Sequence, residues 1–162
     1  RMKAGQQLVY GEQIGWIDPG VVNEKDNAEF LRQVVRLRHS LRRYFYAGQM
    51  GRPTELAGKI PTVTADWQWS GPWPVSTPAM MTGTWQLPAE KRLVLLFVNV
   101  GDEPLNLRLD FQAARYGLPA GDVKVTRLTA DGVGESFVSP ATFQRDLSFP
   151  PHAAWAWEVT SP

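Results

Sequence analysis

The run Arg92–Val100, RLVLLFVNV, leaves this chain few ways to fold. Apart from Arg92 and Asn99 every residue in it is apolar, with no polar face. A run of this kind suits a central strand covered on both sides. The chain must therefore supply apolar surface for two faces. Downstream, the turn GDEP is followed by Leu105, Leu107, Leu109 and Phe111, alternating with Asn106, Arg108 and Asp110. That period of two defines a strand with one buried face. Thr62–Trp69 alternates as well, with Val63, Ala65, Trp67 and Trp69 on one side and Thr62, Thr64, Asp66 and Gln68 on the other. Ala79–Leu87 carries Met81 and Trp85 on its apolar face, and Val123–Leu128, Thr142–Phe149 and Ala153–Thr160 complete the set. Gly132-Val133-Gly134 reads as a turn between strands. The expectation is a mainly β protein, an antiparallel β-sandwich of seven to eight strands over residues 62–162.

Upstream the period changes to that of a helix. Phe30, Val34, Leu37, Leu41 and Tyr44 recur at helical spacing, with Leu31 and Val35 widening the stripe. Asp26 with Glu29 three residues on reads as an N-cap and capping box, and Gly48 as a stop signal, predicting a helix over Asp26–Ala47. Before it, Leu8–Tyr10 reads as a short strand running into a loop with Glu12, Gln13, Trp16 and Asp18. The Pro/Gly-rich segment GRPTELAGKIP reads as a linker. The expected organisation is a strand-loop-helix fragment over residues 1–50, a linker over 51–61 and the sandwich over 62–162.

Composition excludes several classes. With 17 basic and 16 acidic residues the net charge is +1, which argues against a polyanion binder. Arg32, Arg36, Arg38, Arg42 and Arg43 cluster on the helix, but a charged helix face is ordinarily a solvated one, and no nucleic-acid-binding motif accompanies it. No apolar run is long enough for a membrane span, and no secretory leader is visible. The absence of cysteine removes disulfides and thiolate metal sites. Two histidines without an H-E-x-x-H motif, and no phosphate-binding glycine loop, leave no metal or cofactor expected.

LVYGEQIGW followed by FLRQVVRLRHSLRRYFYAGQM resembles the last strand and helix of the (β/α)8 barrel in bacterial glycoside-hydrolase-like proteins. RLVLLFVNVGDEPLNLRLDF, ARYGLPAGDVKVTRL and PPHAAWAWEVT resemble the β-sandwich that caps such barrels at the C-terminus. The resemblance implies a chain that corresponds to the C-terminal part of such a protein and has as its partner a catalytic barrel it does not contain. It also implies a secreted or periplasmic location. In such enzymes the catalytic carboxylates sit on earlier strands, so no catalytic residue is assigned.

Sugar contact has four candidates. Glycoside hydrolysis usually needs two opposed carboxyl groups, and barrel catalysts come from different strand ends. Glu12 and Asp18 follow a single element, so at most one of them is expected to touch substrate by accepting a hydroxyl hydrogen bond; Asp18-Pro19-Gly20 is also a turn in its own right. Trp16 shares their loop and offers an indole face for a sugar ring or for a domain interface. The seven tryptophans include DWQWSGPWPVS, which has the look of a binding platform. Yet Trp67, Trp69, Trp85, Trp155 and Trp157 all lie on inward faces, the ordinary core pattern. So many indoles would crowd one small sandwich, and some are expected to cover the helix or a barrel instead. Trp73, set in Ser70-Gly71-Pro72 and Pro74, is the best exposed stacking candidate, with a core or barrel-facing role as the equal alternative. Three functions follow as expectations. The first is a non-catalytic accessory module binding plant or microbial polysaccharide or oligosaccharide through surface aromatics. The second is a purely structural domain stabilising a glycoside-hydrolase barrel. The third is a barrel fragment supplying a substrate-contacting loop.

Overall fold

The computed structural model describes residues 1–15, 17–68 and 70–161; the predicted Trp16 contact and the predicted inward face of Trp69 lie outside the described residues. Three helices open the chain: α1 (Met2–Val9), α2 (Lys25–Ser40) and α3 (Arg42–Ala47). Eleven strands follow among the described residues. They are β1 (Gln49–Met50), β2 (Leu56–Ala57), β3 (Thr62–Asp66), β4 (Pro74–Pro78), β5 (Met80–Leu87), β6 (Arg92–Asn99), β7 (Leu105–Gln112), β8 (Asp122–Thr129), β9 (Gly132–Pro140), β10 (Thr142–Phe149) and β11 (Ala153–Thr160). Six of them form one antiparallel sheet in the order β1-β5-β6-β11-β8-β9; β10-β7-β2 form a second, and β3-β4 a separate ribbon.

The expected sandwich is present, and β6 runs through its centre. Leu93, Leu95 and Phe97 face the second sheet, meeting Leu107, Leu109 and Phe111 of β7 and Phe149 of β10. Val94, Leu96 and Val98 face the other way, against Leu8 and Val9 of α1 and Phe30, Val34 and Leu37 of α2. The unbroken apolar run is thus the shared wall of two cores, and helices, large sheet and small sheet form three layers. Asn99 is the polar exception. Fully buried, its Nδ2 donates to the carbonyls of Glu103 (2.9 Å), Phe149 (3.3 Å) and Pro150 (3.0 Å), and its Oδ1 accepts from the Gly101 amide at 3.0 Å.

The tryptophans divide between the two cores. Trp155 and Trp157 are buried between the sheets, in an aromatic cluster with Phe97 and Phe149. Trp85 turns to the helices instead: its Nε1 donates to the Val9 carbonyl at 3.0 Å, and its ring meets Phe45 edge-on at 5.3 Å. Trp67 also packs on the helical side. Of the alternating segment Thr62–Trp69, Thr62–Asp66 is strand β3; Val63 packs against both cores, and Ala65 and Trp67 against the helical one.

Several local expectations are corrected. Leu8–Tyr10 is not a strand. Leu8 and Val9 end α1, whose buried face includes Met2, Ala4 and Gly5. The long helix is interrupted at Leu41, whose ψ of 6° leaves the α region; a fully buried Leu41 side chain and a hydrogen bond from Arg42 to the His39 carbonyl mark the junction. Asp26 lies in the first turn and Glu24 occupies the N-cap position without a side-chain capping bond. Gly132-Val133-Gly134 is the start of strand β9, and β4 is a further strand absent from the sequence reading. Residues 51–61 carry β2, and the buried Thr54 is tied to β5 through Thr84 (3.1 Å) and Thr82 (2.8 Å).

Three of the five helix arginines are engaged by carboxylates, and Arg38 and Arg42 bond to backbone carbonyls. Arg32 pairs with Glu29, Arg36 with Asp131 at 3.7 Å and Arg43 with Glu90 at 2.6 Å. Tyr44 donates to Glu158 Oε1 at 2.8 Å, and Arg92 reaches the same oxygen at 2.8 Å. Burial first, and then the Glu158 charge, raises the Tyr44 phenol well above its ordinary range. Among the described residues no helix is long and apolar enough to cross a membrane.

Candidate functional site

A cleft of about 480 Å³ opens where the helical layer meets the β3–β4 ribbon. That size falls within the range of about 300–1,000 Å³ common for small-ligand sites. Its walls come from four segments distant in sequence.

One wall is the ribbon tip. Asp66 Oδ1 accepts from the Gln68 amide at 2.9 Å and from the Trp73 amide at 2.7 Å, and the Trp67 amide donates to the Trp73 carbonyl at 2.9 Å. These bonds close a loop that turns through left-handed residues, Gln68 (φ 46°), Ser70 (φ 55°) and Gly71 (φ 127°). Asp tolerates such local side-chain–backbone bonding and Gly such torsions, so the sequence builds this turn for local reasons. The backbone bonds, from Trp73 first and Gln68 second, hold the Asp66 carboxyl below the ordinary carboxylate range. The turn sets the Trp67 and Trp73 rings edge-to-face, 6.2 Å apart and inclined at 71°. Trp67 is half-buried, whereas Trp73 is 50% exposed, the only exposed tryptophan among the described residues.

A second part of the lining is the loop before α2. Asp18 Oδ1 accepts from the Gly20 amide at 2.7 Å and starts a 3₁₀ turn, Pro19–Asn23, with proline at its first position. Asn27 and Phe30 of α2 continue this side, and Met2 and Ala4 of α1 contribute as well. Arg1 is committed to two partners, Asn27 Oδ1 (2.6 Å) and Asp102 Oδ1 (3.0 Å). Asp102 also meets His152 Nε2 at 2.7 Å; the His152 bond, and then the Arg1 charge, depress its pKa.

Of the sequence candidates, the structure brings Asp18 and Trp73 to one cleft. Glu12 does not line it. Its carbonyl accepts from Arg38 Nε at 2.6 Å, and Arg38 lines a different surface cleft with Gln13, His39 and Tyr46. Two lining residues, Asp66 and Trp67, were assigned to the polar and core faces of a strand in the sequence. The signal that could have found them is the Asp before Trp-x-Trp-Ser-Gly-Pro-Trp, an aspartate placed to close a turn. Among the described residues no three histidine or acidic side chains converge as a metal site would require. The arrangement brings indole faces and carboxylate acceptors to the lining of one cleft.

No family model matches the chain, and no curated protein matches it. Solved structures share the fold. One is a GH27 β-L-arabinopyranosidase from Geobacillus stearothermophilus, at 10% identity and a TM-score of 0.55, with 99% of this chain and 29% of that chain covered. Another is a proposed α-N-acetylgalactosaminidase from Bacillus halodurans C-125, at 8% identity and a TM-score of 0.54, with 99% of this chain and 31% of that chain covered. The class defined is a β-sandwich module of glycoside-hydrolase-like fold. The chain spans less than a third of the length of these enzymes.

Proposed function

We propose that this chain is a non-catalytic accessory module of a carbohydrate-active enzyme and that it binds polysaccharide or oligosaccharide. The observation that carries the reading is the exposed Trp73 indole lining one cleft with Asp18. Indole faces suit the C–H faces of sugar rings, and a carboxylate accepts hydroxyl hydrogen bonds. The glycoside-hydrolase fold of its structural neighbours supports the carbohydrate setting. Residues 1–50 are the segment that meets the catalytic domain, joined through 51–61 to the sandwich of 62–162, and the module is the C-terminal part of its parent.

A second reading is favoured by a different observation. Tyr10, Val35 and Tyr46 are exposed on the helical layer, at 51%, 45% and 71%. Apolar exposure of this kind fits a layer that packs on a catalytic barrel, and the chain then serves as its structural support. Affinity electrophoresis against soluble cellulose derivative, xylan, mannan, β-glucan and pectin, with Trp73→Ala beside the wild type, decides between the two. Retardation by one glycan, abolished in Trp73→Ala, is the expected result. Unretarded migration in every gel removes the binding role and leaves the structural one.

A further inference from the structure

Building on the glycan-binding reading, we infer that the cleft takes a single neutral glycan chain or short oligosaccharide and rejects the flat face of a crystalline polysaccharide. The tryptophan-rich segment DWQWSGPWP has the composition of a flat platform, but its two described indoles, Trp67 and Trp73, are not coplanar. A crystalline face presents many chains in one plane and can be met only by rings whose faces are coplanar. Trp67 and Trp73 are inclined at 71°, so only one can lie parallel to any given surface. Trp67 is half-buried in the helical core, which leaves Trp73 as the one open stacking face among the described indoles.

The other features of the site are concave. The ribbon tip, the Asp18 turn, the start of α2 and α1 all line one cleft of about 480 Å³. A single chain can enter such a cleft with one ring against Trp73 and its hydroxyls toward the rest of the lining; an extended flat surface touches only the rims.

Charge narrows the ligand further. Asp18 and Asp66 are each held in a turn through Oδ1, and among the described residues neither Oδ2 has a protein hydrogen-bond partner. These oxygens accept from hydroxyl groups. The Arg1 guanidinium is occupied by Asn27 and Asp102. Lys3 lines the cleft as well, so two cations and two carboxylates balance, and the lining has no net positive charge to select a uronate over a neutral sugar.

Three materials test this with the whole chain: soluble neutral glycans (xylan, mannan, mixed-linkage β-glucan), polygalacturonate, and microcrystalline cellulose or chitin. Wild type and Trp73→Ala are compared in each, with circular dichroism confirming that the exposed-site variant is folded. The expected result is retention on a soluble neutral glycan, competed by its own hexasaccharide and weakened at least about tenfold by Trp73→Ala. Partition onto the crystalline material without retention on a soluble glycan overturns the inference and leaves glycan binding standing. So does retention on polygalacturonate alone. Absence of binding to all three classes removes the glycan-binding reading itself, and the inference with it.

Discussion

Asp66 organises the ribbon tip by itself: one carboxylate oxygen holds two backbone amides, and the amide of the exposed indole is one of them. In Asp66→Ala, hydrogen exchange at the Gln68 and Trp73 amides is expected to rise towards that of an open loop, while Thr77, farther along the ribbon in a hydrogen-bonded pair with Val63, keeps its protection. Acid acts in the same direction. The folded-state pKa is depressed below the free value of about 3.9. The turn is therefore fully held above that value and is lost as pH falls through the lowered pKa. An acid titration of the Trp73 amide resonance should give a midpoint below about 3.9; a midpoint at or above it contradicts the role assigned to Asp66. The exposure of Trp73 was legible in the sequence, because Gly71, Pro72 and Pro74 deny it a place in a regular strand. Its place in one cleft with Asp18 was not, because tertiary contacts alone bring those segments together.

At the scale of elements, α1 lies unusually close to the large sheet, and two glycines allow it. A Cβ on Gly83 of β5 would stand 2.7 Å from the Val9 carbonyl oxygen, and one on Gly5 of α1 would stand 2.8 Å from a Val100 methyl. Backbone cannot yield as a side-chain tip can. Gly83→Ala is expected to destabilise the protein by about 1–3 kcal/mol in urea unfolding. Gly134→Ala in β9, whose nearest neighbour would be at 3.6 Å, should change stability by less than about 0.5 kcal/mol. Equal effects at the two positions would show that close approach of α1 is not what Gly83 permits. The same glycines explain why α1 was misread. Gly5 lowers helix propensity, and Leu8-Val9-Tyr10 has the apolar density of a short strand. The helix exists because the sheet supplies a surface for it, which no local window records. Strand β9 was missed for the converse reason. Most of its residues are exposed, as on an edge strand, so Gly132 and Gly134 outweighed a pattern with no buried face. The strands β6, β10 and β11 were legible because burial imposes the pattern directly.

For the molecule as a whole, the helical layer covers one face of the central sheet over β5, β6 and β11. A chain lacking residues 1–47 would expose Val94, Leu96, Val98, Ala154 and Ala156 together. Contiguous apolar surface of that kind drives association. The truncated protein is expected to be aggregated or to bind a hydrophobic dye strongly; a monomeric, dye-silent sandwich with cooperative unfolding would show that the layer is dispensable. The shared wall also carries a consequence for how the chain finds its alignment. A strand with one oily and one wet side cannot slip by a residue without turning inside out. β6, oily on both sides, lacks that safeguard: a slipped copy would still be greasy above and below. Asn99 supplies what the pattern omits. Its amide finds all four partners only when the strand end is seated in one place, so it works as an index notch, fixing the alignment of a wall that both cores must share.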